Sequence, residues 1–302
     1  MPLATTLRSI AETNQSAWPL RIYIISPGFS ENMKKKIARS LPDDSCSIEW
    51  VSADMAQFDG FSTLGHISST TYARLLLANI LPVEIPKALY LDADLLVLDD
   101  LEPILKADLD GAVLGAVVDE RLAGHVKMGN TSLGGKPLPQ VADYFNAGVL
   151  LIDVAKWRTE RIPEKALEYL KRYPDSLYSD QDALNFACDR RWKRLDPRWN
   201  YYQIDLEKPV SYLSPAQRPG IFHFHGCLKP WDPKSLNIHA GFYDSFRKRT
   251  LFARTRAEKL KSVPIATWSR LKRILKQSTI IRRVWSRMQS LQAENARKRV
   301  SA

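Results

Sequence analysis

Cysteine is scarce in this sequence, and long apolar runs are missing from it. The 302 residues include three cysteines, Cys46, Cys188 and Cys227, with no Cys-x-x-Cys pair. This spacing argues against a zinc ribbon and a thioredoxin-type site, and it favours a reducing compartment. No apolar stretch reaches the length of about 18 residues that a membrane-spanning helix needs. The N-terminal segment lacks the basic start and apolar centre of a secretory signal, so we expect none.

Other compositional extremes are also absent. Hydrophobic residues make up 45% of the chain and charged residues 25%, which is ordinary for a globular protein. These fractions exclude a mainly disordered chain, a collagen-like fibre and a disulfide-dense mini-protein. The length suits either one large α/β domain with an appendage or two small domains.

Charge is divided unevenly along the chain, whose net charge is +11. From Arg247 onward there are 17 lysines and arginines against 2 acidic residues, whereas the preceding residues carry a net charge of −4. We therefore predict a mildly acidic body over residues 1–246 and a basic tail over residues 247–302. A split this sharp indicates an anionic partner for the tail.

The tail has the periodicity of an amphipathic helix. Apolar residues recur at roughly helical spacing with arginines and lysines between them, and they include Trp268 and Trp285. Such a helix can lie on an anionic bilayer. The tryptophans favour a membrane over a nucleic-acid duplex, so we expect an anionic membrane surface as the partner and no nucleic acid.

Within the body, short apolar runs alternate with segments of helical periodicity. The strands predicted from these runs cover residues 21–26, 47–51, 88–91, 112–118, 145–153 and 221–225. The predicted helices cover residues 30–41, 68–81 and 179–188, and Ser30 caps the first of them. This alternation predicts an α/β fold whose sheet is mostly parallel and covered on both faces.

Two carboxylates, Asp92 and Asp94, follow directly on the strand predicted at residues 88–91. Ligands of open α/β sheets bind beyond the carboxyl ends of strands. A pair of carboxylates there suits a hard cation such as Mg²⁺ or Mn²⁺, which can in turn hold a diphosphate. The alternative is a pair of solvated acids at a strand end.

A second candidate segment supplies further ligands. Residues 221–231 contain His223, His225, Gly226 and Lys229. Imidazole binds Mn²⁺ better than Mg²⁺, and a lysine behind a glycine can contact a phosphate where the backbone comes close. For either histidine the alternative is a structural side chain with satisfied hydrogen bonds.

Two more segments carry polar groups at predicted element ends. Asn146, followed by Ala-Gly, suits hydrogen bonds to sugar hydroxyls, or it is a simple entry into a strand. In the other segment we expect Asp180 to cap a helix and to leave Gln181 and Asp182 in its first turn. A capped helix without a binding role is the alternative there.

Taken together and in order, these segments resemble glycosyltransferase family 8, and most closely the bacterial α-galactosyl- and α-glucosyltransferases that build lipo-oligosaccharide or lipopolysaccharide cores. The resemblance rests on five matching segments, which are residues 66–82, 87–104, 144–158, 178–185 and 223–231. It implies a GT-A fold, that is, a Rossmann-like mixed sheet with helices on both faces. It also implies retaining, Mn²⁺-dependent (or Mg²⁺-dependent) transfer of a hexose from UDP-galactose or UDP-glucose. The acceptor would be a glycolipid assembled at the cytoplasmic face of the inner membrane.

The resemblance also implies a role for individual residues. Metal ligation falls to Asp92, Asp94 and His223, whereas His225 takes a position that need not be histidine. Nucleotide, diphosphate and donor-sugar contacts fall to Ile67, Arg74, Asn146, Ala147, Asp182, Gly226 and Lys229. Gln181 matches the residue beside the anomeric carbon, and Asp119 matches a carboxylate near the sugars.

At the N-terminus the resemblance is incomplete. The family begins with a buried strand and a short loop that holds uridine, whereas residues 1–10 here already resemble the helix that follows that loop. The first strand of the expected fold is therefore missing from this sequence, and we expect a start that lies downstream of the true one. The strand at residues 21–26 would then expose an unpaired edge.

Two other functions stay open. Haloacid-dehalogenase phosphohydrolases also place two aspartates after a strand, but they carry Thr or Val where Leu96 stands here. The other alternative is a catalytically impaired family member that acts as a binding or scaffold protein.

No carboxylate is clearly placed as a nucleophile for glycosyl transfer. This favours a front-face route, in which the leaving diphosphate takes the acceptor's proton.

Overall fold

The computed structural model of the chain describes residues 2–15, 20–26, 28–42, 46–61, 69–122, 132–202, 218–226, 229–232, 237–255 and 258. Ile67, Cys227 and the predicted amphipathic helix with Trp268 and Trp285 lie outside the described residues. Within the described residues, no helix combines the length and the apolar character that crossing a membrane requires.

Eight strands and eight α-helices make up the described framework. The strands are β1 (Leu20–Ser26), β2 (Cys46–Ser52), β3 (Lys87–Leu91), β4 (Leu95–Val97), β5 (Leu114–Val118), β6 (Phe145–Asp153), β7 (Trp192–Arg194) and β8 (Ile221–His223). The α-helices are α1 (Pro2–Thr13), α2 (Glu31–Ala38), α3 (Leu77–Ile80), α4 (Glu102–Lys106), α5 (Val154–Thr159), α6 (Ile162–Arg172), α7 (Ser179–Ala187) and α8 (Ala240–Arg247). Three 3₁₀ helices cover Ala56–Phe58, Ser69–Leu76 and Pro197–Asn200.

The strands pair as a mixed sheet in three hydrogen-bonded groups. β1 pairs with β2 in parallel, β4 pairs with β8 antiparallel, and the central group has the order β3-β6-β5-β7. Within that group β6 runs antiparallel to β3 and β5, whereas β7 is parallel to β5. The mixed sheet agrees with the fold that the resemblance implied. The expectation of a mostly parallel sheet is wrong, because β6 reverses direction between its two neighbours.

The core lies on both faces of β6. Because successive side chains of a strand point to opposite faces, Leu150 and Ile152 join a cluster with Trp157 of α5, while Val149 joins another with Leu7 of α1. Both clusters are closed to solvent, and residues 145–152 are buried throughout. A strand that is apolar on both faces is central, as the unbroken run FNAGVLLID indicates.

Local signals predicted the helices unevenly. Ser30 caps α2 by accepting a hydrogen bond from the Met33 amide, as predicted. The helix predicted at residues 68–81 is instead a 3₁₀ helix, Ser69–Leu76, that continues into the short α3. Its tighter winding accompanies tertiary anchoring, since Arg74 donates to the Ala147 carbonyl oxygen at 2.5 Å. Long-range contacts of this kind override helix propensity.

α7 is held against β6 by two side chains. Asn185 accepts a hydrogen bond from the Phe145 amide at 2.8 Å and donates to the Phe145 carbonyl at 2.9 Å. One turn earlier, Gln181 accepts from the Ala147 amide at 3.0 Å. Because Asn185 is buried, it satisfies backbone groups that water cannot reach.

Replacing Asn185 should therefore destabilise the fold. Asn185→Ala leaves both polar groups of Phe145 unpaired inside the protein, at a cost of roughly 2–4 kcal/mol in unfolding free energy. Urea unfolding followed by tryptophan fluorescence measures the change. Asn32→Ala, the same substitution at an exposed position of α2, should stay within about 0.5 kcal/mol of the parent. Equal effects of the two variants would contradict the anchoring role.

Candidate functional site

The predicted metal ligands come together where the ends of three strands meet. Asp92 follows β3, Asp94 precedes β4, and His223 is the last residue of β8. The Nε2 atom of His223 lies 3.2 Å from Oδ1 of Asp94 and 4.0 Å from Oδ2 of Asp92. One ligand atom from each residue falls within 4.8 Å of the others. The spacing of these atoms is that of a coordination site for one ion.

A chain of amides orients the His223 ring. Its Nδ1 lies 2.9 Å from Oδ1 of Asn200, and the Asn200 amide donates to Oδ1 of Asn146 at 2.8 Å. Because Asn200 presents an oxygen, Nδ1 carries a hydrogen, so in the neutral ring Nε2 is the atom that presents a lone pair on the side of the carboxylates. An outer hydrogen bond of this kind fixes the tautomer and the direction of a metal-binding histidine.

The donor set fits a divalent cation. With the proton on Nδ1, Nε2 of His223 and Oδ1 of Asp94 are two acceptors that face each other without a hydrogen between them. Among the described residues, Oδ1 of Asp94 is buried and has no hydrogen-bond donor. A cation between these atoms satisfies both, and two carboxylates with one imidazole suit Mn²⁺ or Mg²⁺.

Two basic side chains flank the acids. Lys229 pairs with Oδ2 of Asp94 and also donates to the Phe224 carbonyl at 2.9 Å. Arg74, which is buried, pairs with Asp92 at 3.0 Å. Burial opposes ionisation of Asp94, but the His223 ring and the Lys229 ammonium outweigh it, so the pKa of Asp94 lies well below its usual range. Asp94 is therefore held in the charged form that a metal needs.

Asp180 is a site residue that the sequence reasoning missed. It does not cap α7, whose N-cap is Tyr178 without a side-chain bond, so the predicted capping role is wrong. Instead its carboxylate accepts from the Thr71 hydroxyl at 2.9 Å and pairs with Nε of Arg74 at 2.9 Å. Burial raises the pKa of Asp180 to about 6, against the opposing effect of Arg74. Only the tertiary fold brings Thr71 and Arg74 to this carboxylate.

Asp119 lies at the far end of the amide chain. Its carboxylate is fully buried and accepts hydrogen bonds from Asn146 at 3.2 Å and from Tyr202 at 3.1 Å. Arg121 pairs with it at 3.2 Å. Despite burial, Arg121 and Asn146 hold the pKa of Asp119 below its usual value. The structure thus links Asp119 to His223 through Asn146 and Asn200.

His225 stands apart from the ligand group. Its Nε2 faces the Arg121 guanidinium at 2.9 Å, and its ring centroid is 5.5 Å from that of His223. Burial, together with the His223 ring and the Arg121 guanidinium, lowers the pKa of His225 to about 3. His225 is not among the three grouped side chains, and that it is no metal ligand stays a prediction.

Gln181 and Asp182, in the first turn of α7, bind different partners. The Gln181 carbonyl accepts from the Ala147 amide, and its amide donates to the Tyr144 hydroxyl at 3.4 Å. Asp182 accepts from the Tyr144 hydroxyl at 2.5 Å through one oxygen, and from Ser176 and the Tyr178 amide through the other. Both Asp182 oxygens are thus engaged inside the protein, and its role as a donor-sugar contact stays a prediction.

Two glycines let the backbone approach the site. Gly226 has φ +83°, a left-handed conformation that favours glycine. At Gly148, an added Cβ would lie 2.3 Å from Cε1 of His223 and 2.8 Å from its Nδ1. The bare backbone expected after Asn146 therefore serves the packing of the histidine ring.

Gly148→Ala should weaken metal binding without unfolding the protein. The methyl group would push the His223 ring from its place, and disturbing the support of a ligand weakens metal affinity by roughly 10–100-fold. Titration of Mn²⁺, followed by electron paramagnetic resonance of the free ion, measures the loss. Gly241→Ala, in α8 where an added Cβ meets nothing within 4 Å, is the matched control. Unchanged Mn²⁺ affinity in Gly148→Ala would show that the ring tolerates displacement.

The sequence matches the family described as Glycosyl transferase family 8 over residues 1–235. General stress protein A of Bacillus subtilis is 28% identical over 244 residues, which cover 76% of this chain and 83% of that protein. The lipopolysaccharide 1,3-galactosyltransferase of Salmonella typhimurium is 30% identical over 167 residues, which cover 53% of this chain and 49% of that protein.

A solved structure shows the same architecture. The galactosyltransferase LgtC, crystallised with donor and acceptor sugar analogues, superposes with a TM-score of 0.69 at 26% sequence identity. The superposition covers 86% of this chain and 95% of that one.

Proposed function

Because the chain belongs to glycosyltransferase family 8, we propose that it transfers galactose or glucose from a UDP-sugar to a saccharide acceptor of a lipopolysaccharide-type glycolipid. Its fold is the GT-A fold that LgtC represents. The observation that carries the proposal is the convergence of Asp92, Asp94 and His223 into one group of ligands. Lipopolysaccharide galactosyltransferase among the relatives supports the choice of acceptor.

The proposed mechanism begins with the diphosphate. A Mn²⁺ or Mg²⁺ ion held by Asp92, Asp94 and His223 would supply positive charge to the leaving diphosphate. Lys229 adds a second positive charge beside Asp94, and the left-handed Gly226 lets the backbone pass close to the phosphates. Positive charge accelerates cleavage of the sugar–phosphate bond where negative charge develops in the transition state, and Lys229 would act there beside the charge that the metal would supply.

We assign the donor sugar to the region beside the start of β6 and the first turn of α7. Asn146 and Ala147 lie at the start of β6, and Arg74 reaches the Ala147 carbonyl from the 3₁₀ helix. Gln181 is fixed against the Ala147 amide, where its amide group can stabilise a positively charged anomeric carbon. The contributions of Ile67, Asp119 and Asp182 to nucleotide or sugar binding belong to the same proposal.

Retention of configuration by a front-face route is part of the proposal. In the described residues, each buried carboxylate near Gln181 already has protein partners. Asp182 is engaged by hydroxyl groups, Asp119 by Asn146, Tyr202 and Arg121, and Asp180 by Arg74. These engagements disfavour a covalent glycosyl intermediate on an aspartate. An oxygen of the departing diphosphate would then accept the proton of the acceptor hydroxyl.

Donor and metal are tested together. Purified protein is incubated with UDP-galactose, UDP-glucose and other UDP-sugars, with and without Mn²⁺, and free UDP is measured. We expect release from one hexose donor only when the metal is present. Binding of UDP-sugars without any turnover would instead favour the scaffold alternative, a catalytically impaired family member.

Asp94→Asn should lower transfer by at least roughly 100-fold, because it removes a charge from a site that must neutralise a diphosphate. Circular dichroism checks that the fold persists. Asp110→Asn makes the same substitution at an exposed carboxylate that pairs with Lys193, and it should leave transfer unchanged. An Asp94→Asn variant with parental activity that still requires Mn²⁺ would remove this aspartate from the mechanism.

The two histidines should respond differently to alanine. His223→Ala removes a ligand and should weaken Mn²⁺ binding by roughly 10-fold or more. His225→Ala removes a contact to Arg121 and should leave Mn²⁺ affinity within about twofold of the parent, since it touches no ligand oxygen. Calorimetric titration with Mn²⁺ compares the two variants, and the reverse ranking would contradict the ligand assignment.

We further propose that the basic tail, residues 247–302, holds the enzyme on the cytoplasmic face of the inner membrane. The described residues beside its start support this placement. Lys35 and Lys36 of α2 are exposed, and so is Arg39, the C-cap residue that follows this helix. The start of the tail packs against this helix, with the Leu251 amide donating to Ser40 and the Lys36 ammonium 4.5 Å from the Phe252 ring centroid.

Two described acidic side chains near this surface, Glu12 and Glu31, are already paired. Arg8 and Arg249 both bind Glu12, and Lys34 binds Glu31 at 2.8 Å. The exposed basic groups of α2 therefore add to the charge of the tail. Each basic residue close to an anionic bilayer contributes about 1 kcal/mol to binding.

Charge reversal tests the membrane proposal in the full chain. The double variant Lys35→Glu/Arg39→Glu, at the C-terminal end of α2, should reduce flotation with vesicles of anionic phospholipid. Higher salt should also reduce flotation of the parent protein, because exposed charges are screened. Lys165→Glu/Lys171→Glu makes the same charge change at exposed positions of α6 and should float like the parent. Equal losses from both pairs would mean that net charge, and not this surface, drives binding.

A further inference from the structure

The strand that follows the metal ligands has two edges with different partners. On one edge, the Asp94 carbonyl accepts from the Phe224 amide at 2.9 Å and the Leu98 amide donates to the Gly220 carbonyl at 2.8 Å. These are the bonds of the β4–β8 pairing. The backbone groups of the alternate residues point to the opposite edge, where those of the buried Leu95 and Val97 must find other partners.

Helix α1 occupies that opposite edge and supplies hydroxyl groups to it. The Thr6 hydroxyl lies 2.8 Å from the Ala93 carbonyl oxygen and 2.7 Å from the Leu95 carbonyl oxygen, so its single hydrogen is shared between the two acceptors. The Ser9 hydroxyl accepts from the Val97 amide at 2.9 Å. Thr6 and Ser9 are buried, with 2% and 0% of their surface exposed. Side chains of a helix thus take the place of a neighbouring strand.

The Ala93 carbonyl is the critical member of this set because it lies between the two ligand residues. The Asp92 amide is bonded to the Gly148 carbonyl at 2.9 Å, and the Asp94 carbonyl is bonded to β8. The peptide between Ala93 and Asp94 is held from the third side by Thr6. Rotation of that peptide would turn the Asp94 carboxylate away from Nε2 of His223.

We propose that Thr6 is a positioning residue of the metal site, acting through the backbone on both sides of Asp94. The inference rests on the proposed metal-dependent function. It assigns a role in that site to α1, a helix that contributes no metal ligand. A hydroxyl that can reach two carbonyls is required at this position. A side chain of the same shape without a donor would leave both carbonyls unpaired beside the ligands.

The experiment compares three variants of the full chain by direct Mn²⁺ binding, read from the electron paramagnetic resonance signal of the free ion without any sugar nucleotide. Thr6→Val keeps the shape and loses the donor, so its Mn²⁺ affinity should fall by roughly 10-fold, the lower end of the range for lost support of a ligand. Thr6→Ser restores the hydroxyl and should recover most of the affinity. Thr13→Val removes a hydroxyl that bonds only within α1 and should bind Mn²⁺ like the parent.

Thermal unfolding of each variant distinguishes an effect on the position of the metal ligands from an effect on the stability of the whole fold. Thr6→Val with parental Mn²⁺ affinity and a lowered midpoint would overturn the inference while leaving the proposed function intact. A parent protein that binds no Mn²⁺ would overturn both. If Thr6→Val does not fold, Ser9→Ala decides, because it removes the next contact along the same edge. Its affinity should fall by roughly threefold relative to Thr13→Val, and equal affinities of these two variants would overturn the inference.

Discussion

The position of the His223 ring is the constraint on which the rest of the site depends. The ring fits only because Gly148 has no side chain, and its direction follows from Asn200 and Asn146. Two strands and one connecting segment therefore meet at one imidazole: β8 carries it, β6 makes room for it, and the segment between β3 and β4 supplies the carboxylates that face it. A displacement of any of these elements would therefore alter the positions of the predicted metal ligands.

Buried charge explains why so many ionic groups share this region. Asp92, Asp94 and Asp180 face only two cationic side chains, Arg74 and Lys229, within the pairs described. A buried group with more negative than positive charge is costly unless a cation completes it or a carboxylate takes up a proton. Burial shifts the pKa of Asp180 in the direction of the second effect, to about 6, and the donor set around His223 provides for the first. The same imbalance favours the arrival of a divalent ion together with its diphosphate ligand.

Sequence reasoning predicted the elements whose signals are local. The run at residues 145–153 predicted β6 with its observed bounds, and the acids after β3 predicted two of the three grouped ligands. Sequence reasoning could not predict which other side chains hold these ligands in position. Asn200 lies 23 residues from His223 along the chain, and Thr6 lies 87 residues from Ala93. No periodicity or spacing records such pairs, because they arise only when separate elements pack.

The acids of α7 show where simple helix geometry could have improved the prediction. Residues two apart on a helix point about 200° away from each other, so Asp180 and Asp182 cannot both face the same ligand. The structure turns Asp180 toward Arg74 and the metal ligands, and it turns Asp182 toward Ser176 and Tyr144. Gln181, between them, reaches the backbone of β6. One helical turn thus supports the site through Asp180, orders its own start through Asp182, and places a neutral amide at the position where we assign the reacting sugar.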